Sequence, residues 1–337
     1  MSVDPLSQLI AQKGVLLADG AMGTSLFAMG LEAGEAPELW NETAPDRISD
    51  LHRQFVAAGC DIILTNSFGG TRHRLKLHGA DDRVFEINHR AAEIARQVAD
   101  AAERTVIVAG SVGPTGELLE PLGALTFDET VDAFREQMEG LKAGGIDVAW
   151  IETMSSPDEI KAACTAAVAI GLPYVYTASF DTAGRTMMGV HPRDIHELSS
   201  DVAPGPVAVG ANCGVGAADI LSSLLDMSDA REGAAIVVKG NCGIPEFRGA
   251  QIHYSGTPPL MADYARLAID AGATIIGGCC GTACEHLKAM RQAIDTHEKG
   301  ERPTIETIVD RIGPLRNKPA GDDKTAPQRE RRGRRRA

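Results

Sequence analysis

The residues in this chain best suited to chemistry are three cysteines in two glycine-rich segments. Cys213 lies in VAVGANCG, and Cys279 and Cys280 are adjacent in ATIIGGCCGT. In both segments a short apolar run ends in glycine where the cysteines begin, and glycine lets a ligand approach the backbone closely. Three thiolates converging from two strand ends would hold zinc and leave its fourth coordination position open, as in catalytic zinc sites. The sequence therefore predicts a zinc centre at these cysteines, with three buried, unlinked thiols as the alternative.

The other four of the seven cysteines are expected not to be ligands. Cys242, in GNCGIP, follows a neighbouring predicted strand and is interpreted as a thiol near the site that could compete for the metal. Cys60, Cys164 and Cys284 fall in predicted helical stretches. We expect them to pack in the interior, since free cysteine is among the most buried residue types.

The elements that must position these cysteines are repeated units of a short strand and a helix. The strand-like runs are β-branched and lack clean alternation, as expected of strands buried on both faces of a parallel sheet. Eight such runs are predicted, at residues 15–19, 61–65, 106–109, 148–152, 174–179, 207–211, 236–239 and 274–276. Helices are predicted between them, for example at 46–58, 83–102, 126–143 and 258–271. Thr126, Ser156 and Thr257 are the expected N-caps of three helices.

Eight strand–helix units are the number in a (β/α)8 barrel of the TIM type, an α/β fold. Such barrels reach this length as one domain, and we expect the barrel over residues 1–318 of the 337. A doubly wound open sheet is the alternative, because strand order cannot be read from a sequence. Active sites of barrel enzymes lie at the C-terminal ends of the strands, where polar and glycine residues cluster in this chain.

Composition restricts the partners and the compartment. The net charge of −13 opposes nonspecific binding to nucleic acid or to anionic membranes, and only 4% of the residues are aromatic. No apolar run approaches the length of a membrane span, and the N-terminal segment lacks the pattern of a signal peptide. An odd number of cysteines without such a signal predicts free thiols in the cytoplasm.

The last residues differ in composition from the rest of the chain. Residues 319–337 are rich in charged and polar residues and end in RERRGRRRA. Such a segment cannot bury enough apolar surface to fold, so we expect a disordered basic tail. An electrostatic contact with an acidic partner is the alternative.

The motifs at the predicted strand ends resemble those of the homocysteine S-methyltransferase family. In chain order they are DGAMGTSL, TNSFGGT, GSVGPTG, GANCG and GGCCGT, and the resemblance runs from about residue 15 to about residue 293. The family includes betaine–homocysteine methyltransferases, enzymes that use S-methylmethionine and the homocysteine-binding module of cobalamin-dependent methionine synthase. The resemblance implies a zinc-bearing (β/α)8 barrel that methylates the sulfur of homocysteine to give methionine.

The resemblance also implies roles for individual residues. Cys213, Cys279 and Cys280 match the family's zinc ligands. Glu152, at the end of the fourth predicted strand, matches the glutamate that binds the homocysteine amine, with a salt bridge inside the barrel as the alternative. Asn241 matches an asparagine whose carbonyl can fill the fourth zinc position before the substrate arrives.

Two further expectations concern the homocysteine itself. Asp19, Gly20 and Ala21 form the turn after the first predicted strand, and backbone N–H groups in such a turn can receive the substrate carboxylate. A tight connection without a ligand is the alternative. Only the thiolate of homocysteine is a useful nucleophile, and zinc coordination would deprotonate the thiol and hold its sulfur in line with the donor's methyl group.

The methyl donor is left open between two classes. Quaternary ammonium donors are usually held by aromatic cages, but Gly69 stands where betaine-type relatives place a tyrosine. Trp40, in PELWNET, would be a single aromatic wall, so poor turnover with betaine alone is expected. TNSFGGT is closer to the methionine synthase module, whose donor is methylcobalamin. The chain shows no D-x-H-x-x-G corrinoid signature, so methylcobalamin would have to be carried by a partner protein. The donor is therefore either a methylcobalamin-carrying protein or a betaine-like compound.

Two functions of other classes are also considered. A zinc-dependent barrel lyase would need an acid–base pair near the metal, for which His191 and His253 are the loop histidines to check. A non-catalytic zinc-binding or thiol-binding protein would not need Glu152 at a strand end.

Overall fold

The computed structural model describes residues 3–230, 234–243, 245–248 and 251–317, with the backbone alone at 245–248 and 251–253. Its strands in chain order are β1 (Leu16–Leu17), β2 (Ile62–Leu64), β3 (Ile107–Val112), β4 (Val148–Met154), β5 (Tyr174–Ala178), β6 (Ala208–Cys213), β7 (Ala235–Gly240), β8 (Pro245–Arg248), β9 (Gln251–Tyr254) and β10 (Ile275–Gly278). All eight predicted strands are present. The hairpin β8–β9 in the connection after β7 is an addition that the sequence analysis did not predict.

The eight parallel strands follow the chain around a barrel. Their order in the sheet is β1-β10-β7-β6-β5-β4-β3-β2. At the two ends of this order, Ala18 after β1 forms a parallel bridge with Ile62 of β2, which nearly closes the barrel. A doubly wound sheet requires a reversal of strand order. The described strands show none, so that alternative is wrong and the (β/α)8 fold is confirmed.

Helices surround the barrel, and the first of them lies across its N-terminal end. They are α1 (Pro5–Lys13), α2 (Met22–Ala28), α3 (Trp40–Thr43), α4 (Pro45–Ala57), α5 (Arg72–Leu75), α6 (Val84–Asp100), α7 (Phe127–Ala143), α8 (Pro157–Ala169), α9 (Ala217–Asp229), α10 (Pro258–Asp270), α11 (Cys284–Thr296) and α12 (Ile305–Ile312), with 3₁₀ turns at Pro37–Leu39, Lys76–His78 and Pro192–Glu197. The predicted caps are confirmed: the side chains of Thr126, Ser156 and Thr257 accept backbone N–H groups at the starts of α7, α8 and α10.

Two apolar cores place the site at one end of the barrel. Inside the barrel, Trp150 packs with inward-facing residues of the other strands, and Leu6 and Leu9 of α1 belong to the same cluster. The second core lies between the strands and the outer helices. Because α1 packs at the N-terminal ends of the strands, the C-terminal ends are the open side of the interior.

Some strands are longer than predicted, and the predicted secondary structure at one cysteine is corrected. Glu152 and Cys213 lie within β4 and β6. Cys164 is buried in α8 and Cys284 is the first residue of α11, as expected. Cys60 was predicted to be helical, which is wrong: α4 ends at Ala57, and Cys60 is buried in the turn before β2.

Two expectations from the sequence concern the C-terminal tail and the absence of membrane spans. The expected tail, residues 319–337, lies outside the described residues. Within the described residues, every helix is too short or too polar to cross a membrane.

Candidate active site

A cavity of about 430 Å³ opens at the C-terminal ends of the strands. We call its charged and sulfur-bearing lining residues at the strand ends the inner half: Asp19, Glu152, Cys213, Lys239, Cys279 and Cys280. We call its lining residues from the first two βα connections the outer half: Phe27, Glu38, Phe68, Gly69, Arg74 and His78. Sulfur, carboxylate, ammonium and aromatic groups therefore share one cavity.

The three predicted ligand cysteines converge in the inner half. The Sγ atoms of Cys213, Cys279 and Cys280 all lie within 4.8 Å of one another, the one such metal-ligating group among the described residues. Tetrahedral zinc with Zn–S bonds of about 2.3 Å requires sulfur–sulfur separations of about 3.8 Å. The cluster therefore fits zinc with only small movements of the side chains.

The thiols of this cluster resist ionisation when no cation is bound. Hydrogen bonding with Cys279 and burial raise the pKa of Cys213 to about 12. Hydrogen bonding with Cys213 and burial likewise raise the pKa of Cys280 to about 11. For Cys279 the hydrogen bond with Cys213 lowers the pKa, but that with Cys280 and burial outweigh it and the net shift is upward. Three thiolates at this point therefore require a bound cation.

Asn212 holds the strained backbone at Cys213 to the end of β4. Cys213 has φ 62° and Thr153, the residue after Glu152, has φ 63°, both in the left-handed region that side chains rarely adopt. Asn212 joins the two strand ends: its Oδ1 accepts from the Thr153 N–H at 2.8 Å, and its Nδ2 donates to the Thr153 Oγ1 at 2.7 Å. The ligand-bearing strand is thus tied to the strand that carries Glu152.

Asn241 ties the two cysteine segments together. Its Nδ2 donates to the Gly214 carbonyl at 2.7 Å, and its Oδ1 accepts from the Cys280 N–H at 3.0 Å. The sequence analysis expected a carbonyl of this residue to fill the fourth zinc position. In the structure the side-chain oxygen is engaged with Cys280, and the backbone oxygen accepts from the Gly243 N–H. This geometry supports a positioning role for Asn241.

Cys242 lies beside the cluster without joining it. Its N–H donates to the Cys280 carbonyl at 2.9 Å, but its side chain is fully buried and does not line the cavity. Burial raises the pKa of its thiol to about 12. The structure therefore gives no support to Cys242 as a competing ligand.

Tyr254 is a neighbour of the cluster that the sequence analysis missed. Its hydroxyl shares a hydrogen bond with the Cys280 thiol, and its ring packs on Gly281, where a Cβ atom would lie 2.2 Å from the ring. Glycine at 281 is therefore required for this contact. The segment QIHYSG carries no signal for it, because the hairpin that brings Tyr254 back to the barrel was not predicted.

Glu152 presents a buried carboxylate to the same cavity. Its side chain is only 9% exposed, and its Oε1 accepts from the Ser111 hydroxyl at 2.5 Å. Burial raises the pKa of Glu152, while Lys239 and Ser111 oppose that rise. A buried carboxylate that lacks a full ionic partner is suited to bind an ammonium group of a ligand.

Asp19 forms an ion pair with Lys239, a site residue that the sequence analysis did not single out. The Lys239 Nζ donates to the Asp19 Oδ1 at 2.8 Å, and the Leu64 N–H donates to the Asp19 Oδ2 at 2.7 Å. Burial lowers the pKa of Lys239, but Asp19 and Glu152 outweigh burial and keep the amine protonated. The available signal was a lysine inside the otherwise apolar run IVVKG.

One N–H group of the turn after β1 is already engaged within the protein. The Ala21 N–H donates to the Thr282 carbonyl at 3.1 Å, so it is not available to a substrate carboxylate. A Cβ atom at Gly20 would lie 2.4 Å from the same carbonyl oxygen, which explains the glycine as a close backbone approach. The expectation that Ala21 binds the carboxylate is therefore contradicted by its existing hydrogen bond.

Trp40 does not form an aromatic wall of the cavity, and that prediction is wrong. Its side chain is 8% exposed and packs in the core between strands and helices, with the Arg47 guanidinium 4.9 Å from the ring centroid. The 3₁₀ turn Pro37–Leu39 directs Glu38 into the cavity and leaves the indole in the core. The aromatic residues in the cavity lining are instead Phe27 and Phe68.

Glu38 occupies the space beside Gly69. Its Oε1 accepts from the Gly69 N–H at 2.6 Å, and a Cβ atom at Gly69 would lie 3.0 Å from that oxygen. Burial raises the pKa of Glu38. The position where betaine-type relatives were expected to place an aromatic ring therefore carries a buried carboxyl group.

Among the described side chains, no support is found for the histidine pair considered for a lyase. His191 does not line the cavity, and the side chain of His253 lies outside the described residues. His78 is among the lining residues of the outer half.

Comparisons with known proteins agree on one protein family. The family model described as homocysteine S-methyltransferase matches residues 16–294. The chain is 29% identical over 342 residues to a methionine synthase of Mycobacterium leprae, covering 94% of this chain and 28% of the relative. It is 30% identical over 329 residues to a methionine synthase of Mycobacterium tuberculosis, covering 91% of this chain and 27% of the relative. The chain thus spans little more than a quarter of these relatives.

A solved structure shares the architecture. The metallated form of the homocysteine methyltransferase MmuM from Escherichia coli superposes with a TM-score of 0.72 at 25% identity, over 86% of this chain and 99% of MmuM. The family match contains the sulfur cluster and the carboxylates of the inner half. The resemblance predicted from the motifs is confirmed, and the chain belongs to the homocysteine S-methyltransferase family.

Proposed function

We propose that this protein is a zinc-dependent homocysteine S-methyltransferase that forms methionine. The observation that carries the proposal is the placement of three convergent Sγ atoms and the buried carboxylate of Glu152 in one cavity. Homocysteine offers a sulfur nucleophile and an ammonium group, which suit these two features. A simple thiol-binding protein accounts for the sulfur cluster but not for the carboxylate, and of the two histidines considered for a lyase, His191 does not line the cavity.

The metal-binding residues in this proposal are Cys213, Cys279 and Cys280. Their three Sγ atoms lie within 4.8 Å of one another, and thiolate sulfur is a ligand type that suits zinc. When bound, zinc would lower the pKa of the homocysteine thiol, so that the thiolate forms near neutral pH.

The chain's own side chains position the substrate. Glu152 accepts the homocysteine ammonium, while Ser111 fixes the orientation of the carboxylate through its hydroxyl. Asn212 and Asn241 hold the strand ends that carry the cysteines. Such fixed placement converts methyl transfer into a reaction between oriented partners.

Two methyl donors each have a supporting observation. An onium compound such as betaine or S-methylmethionine is supported by two aromatic side chains of the outer half, Phe27 and Phe68, and by the carboxyl group of Glu38, on which Arg74 acts to favour the charged form. Methylcobalamin on a partner protein is supported by the similarity to methionine synthases, of which this chain matches only 28% and 27%. Poor turnover with betaine alone stays a prediction.

The acceptor and the donor are tested together by one assay. Zinc-loaded protein is incubated with homocysteine and, separately, with betaine, S-methylmethionine or methylcobalamin, and methionine is quantified. We expect methionine from at least one donor and none after zinc is removed. Absence of methionine with every donor, from zinc-loaded protein that also fails to bind homocysteine, would contradict the proposed function.

Glu38→Gln distinguishes the donor classes. The amide can still accept from the Gly69 N–H, but the negative charge that faces an onium group is lost. For an onium donor we expect KM to rise roughly tenfold or more, because contacts to a charged group are worth about 1.5–3 kcal/mol. For methylcobalamin we expect little change.

The matched control is Glu32→Gln, which alters an exposed glutamate outside the cavity lining. It should leave KM for every donor unchanged. Equal KM values for Glu38→Gln and the unmodified protein with an onium donor would rule out Glu38 as part of an onium site.

A further inference from the structure

Lys239 is a buried cation for which the proposed chemistry has no role so far. It lies near the end of β7, in register with Asn212 of β6 and Gly277 of β10. Its side chain is 3% exposed, yet it lines the inner half of the cavity together with Glu152 and Cys279. The position is therefore within reach of a small ligand that contacts the sulfur cluster.

The ammonium of Lys239 is only partly satisfied by the protein. It carries three N–H donors. Among the described residues, Asp19 accepts one of them at 2.8 Å, and the Trp150 ring lies 5.8 Å from the Nζ atom. Burying polar N–H groups without acceptors is costly, so this arrangement is suited to a ligand that supplies an anionic acceptor.

The charged side chains of the inner half can bind a ligand that carries one positive and one negative charge. Lys239 forms its ion pair with Asp19, while Glu152 accepts from the Ser111 hydroxyl and feels the charge of Lys239 without forming an ion pair with it. A bound α-amino acid brings an ammonium group, which Glu152 takes, and a carboxylate, which needs donors. The turn after β1 does not offer its Ala21 N–H, because Thr282 accepts it.

Gly277 makes room for the lysine at this place. A Cβ atom at Gly277 would lie 3.0 Å from the Lys239 Cγ, tighter than an ordinary contact. The lysine side chain therefore passes the neighbouring strand where that strand has no side chain, and its ammonium ends in the cavity.

We propose that Lys239 binds the α-carboxylate of homocysteine. The two charges of the amino acid then face Lys239 and Glu152, while its sulfur reaches toward Cys279. The inference rests on the proposed function and adds a specificity-determining residue to it. It implies that the protein selects α-amino acid thiols over amine thiols that lack a carboxylate.

The test compares two ligands that differ only in the carboxylate. Homocysteine and 3-aminopropane-1-thiol are titrated calorimetrically, under reducing conditions, into zinc-loaded protein. The unmodified protein should bind homocysteine roughly tenfold to a hundredfold more tightly, the range of a contact to a charged group. In Lys239→Met this preference should vanish, with the affinity for 3-aminopropane-1-thiol changed less than about threefold.

A second variant guards against loss of folding. Lys239→Met leaves Asp19 buried without a cation. Lys239→Gln, which keeps a donor for Asp19, is therefore measured as well. Zinc content and circular dichroism are recorded for both variants. Loss of affinity for both ligands to the same degree would show that Lys239 only supports the side chains of Asp19 and Glu152. That result would overturn the inference.

The unmodified protein also gives a test that needs no variant. Equal affinity for the two ligands would overturn the role of Lys239 and leave the proposed function intact. Binding of neither ligand would contradict the proposed function, and this inference with it.

Discussion

Cys280→Ala is expected to lose both its zinc and its methionine-forming activity. The substitution removes one of three sulfurs that lie within 4.8 Å of one another, and two thiols hold zinc far less tightly. We expect activity to fall by more than about a hundredfold, beyond the 10–100-fold typical of residues that only support a metal site. Cys213→Ala and Cys279→Ala should behave in the same way.

The measurements are zinc content by mass spectrometry and methionine formation. The control is Cys284→Ala, because Cys284 begins α11 and its thiol lies 3.8 Å from the Gln54 side chain, outside the cluster. It should keep zinc and activity. All these variants should keep the circular dichroism of the unmodified protein, since the apolar cores do not depend on the cluster. Full zinc occupancy in Cys280→Ala would disprove the ligand assignment.

Glu152→Gln is expected to bind homocysteine roughly tenfold to a hundredfold more weakly while keeping its zinc. The amide preserves the size of the side chain and can still accept from the Ser111 hydroxyl, so the change removes mainly the negative charge. The matched ligand is 4-mercaptobutanoate, which is homocysteine without its amine. Its affinity should be nearly the same in both proteins.

The pH dependence gives a second readout for Glu152. Burial raises the pKa of its carboxyl group, and only the ionised form attracts an ammonium. Homocysteine affinity should therefore fall as the pH decreases through this raised pKa, and Glu152→Gln should lack that dependence. A change of less than about threefold in homocysteine affinity at neutral pH would mean that Glu152 does not bind the amine.

Local sequence patterns were sufficient for the framework of the fold. The β-branched runs, the N-caps such as Thr126 and the glycines after the strands each depend on neighbouring residues, which a sequence displays directly. Placing Cys213 near Cys279 followed from one topological rule, that the C-terminal ends of parallel strands meet at one face. The convergence of the sulfurs was therefore predictable once eight strands had been counted.

The contacts that complete the site depend on partners far apart in the chain. Lys239 pairs with Asp19 across 220 residues, and nothing near either residue indicates the other. The Ala21 N–H donates to the carbonyl of Thr282, which lies in the connection after the last barrel strand. Such pairings follow from the closed sheet and not from local composition.

The sequence also did not indicate which aromatic residues line the cavity. Trp40 and Glu38 are two positions apart in one short segment, yet one packs in the core and the other reaches the cavity. The 3₁₀ turn at Pro37–Leu39 decides which side each faces, and the sequence gives no periodic pattern over so short an element. The cavity wall was therefore assigned to the wrong aromatic residue.

The most direct test of the central claim is X-ray absorption at the zinc edge, with and without homocysteine. The account predicts zinc with three sulfur neighbours in the free protein, from Cys213, Cys279 and Cys280. Homocysteine should raise the number to four, because its sulfur takes the open position of a catalytic site. A sulfur count that stays at three when homocysteine saturates the protein would contradict the account.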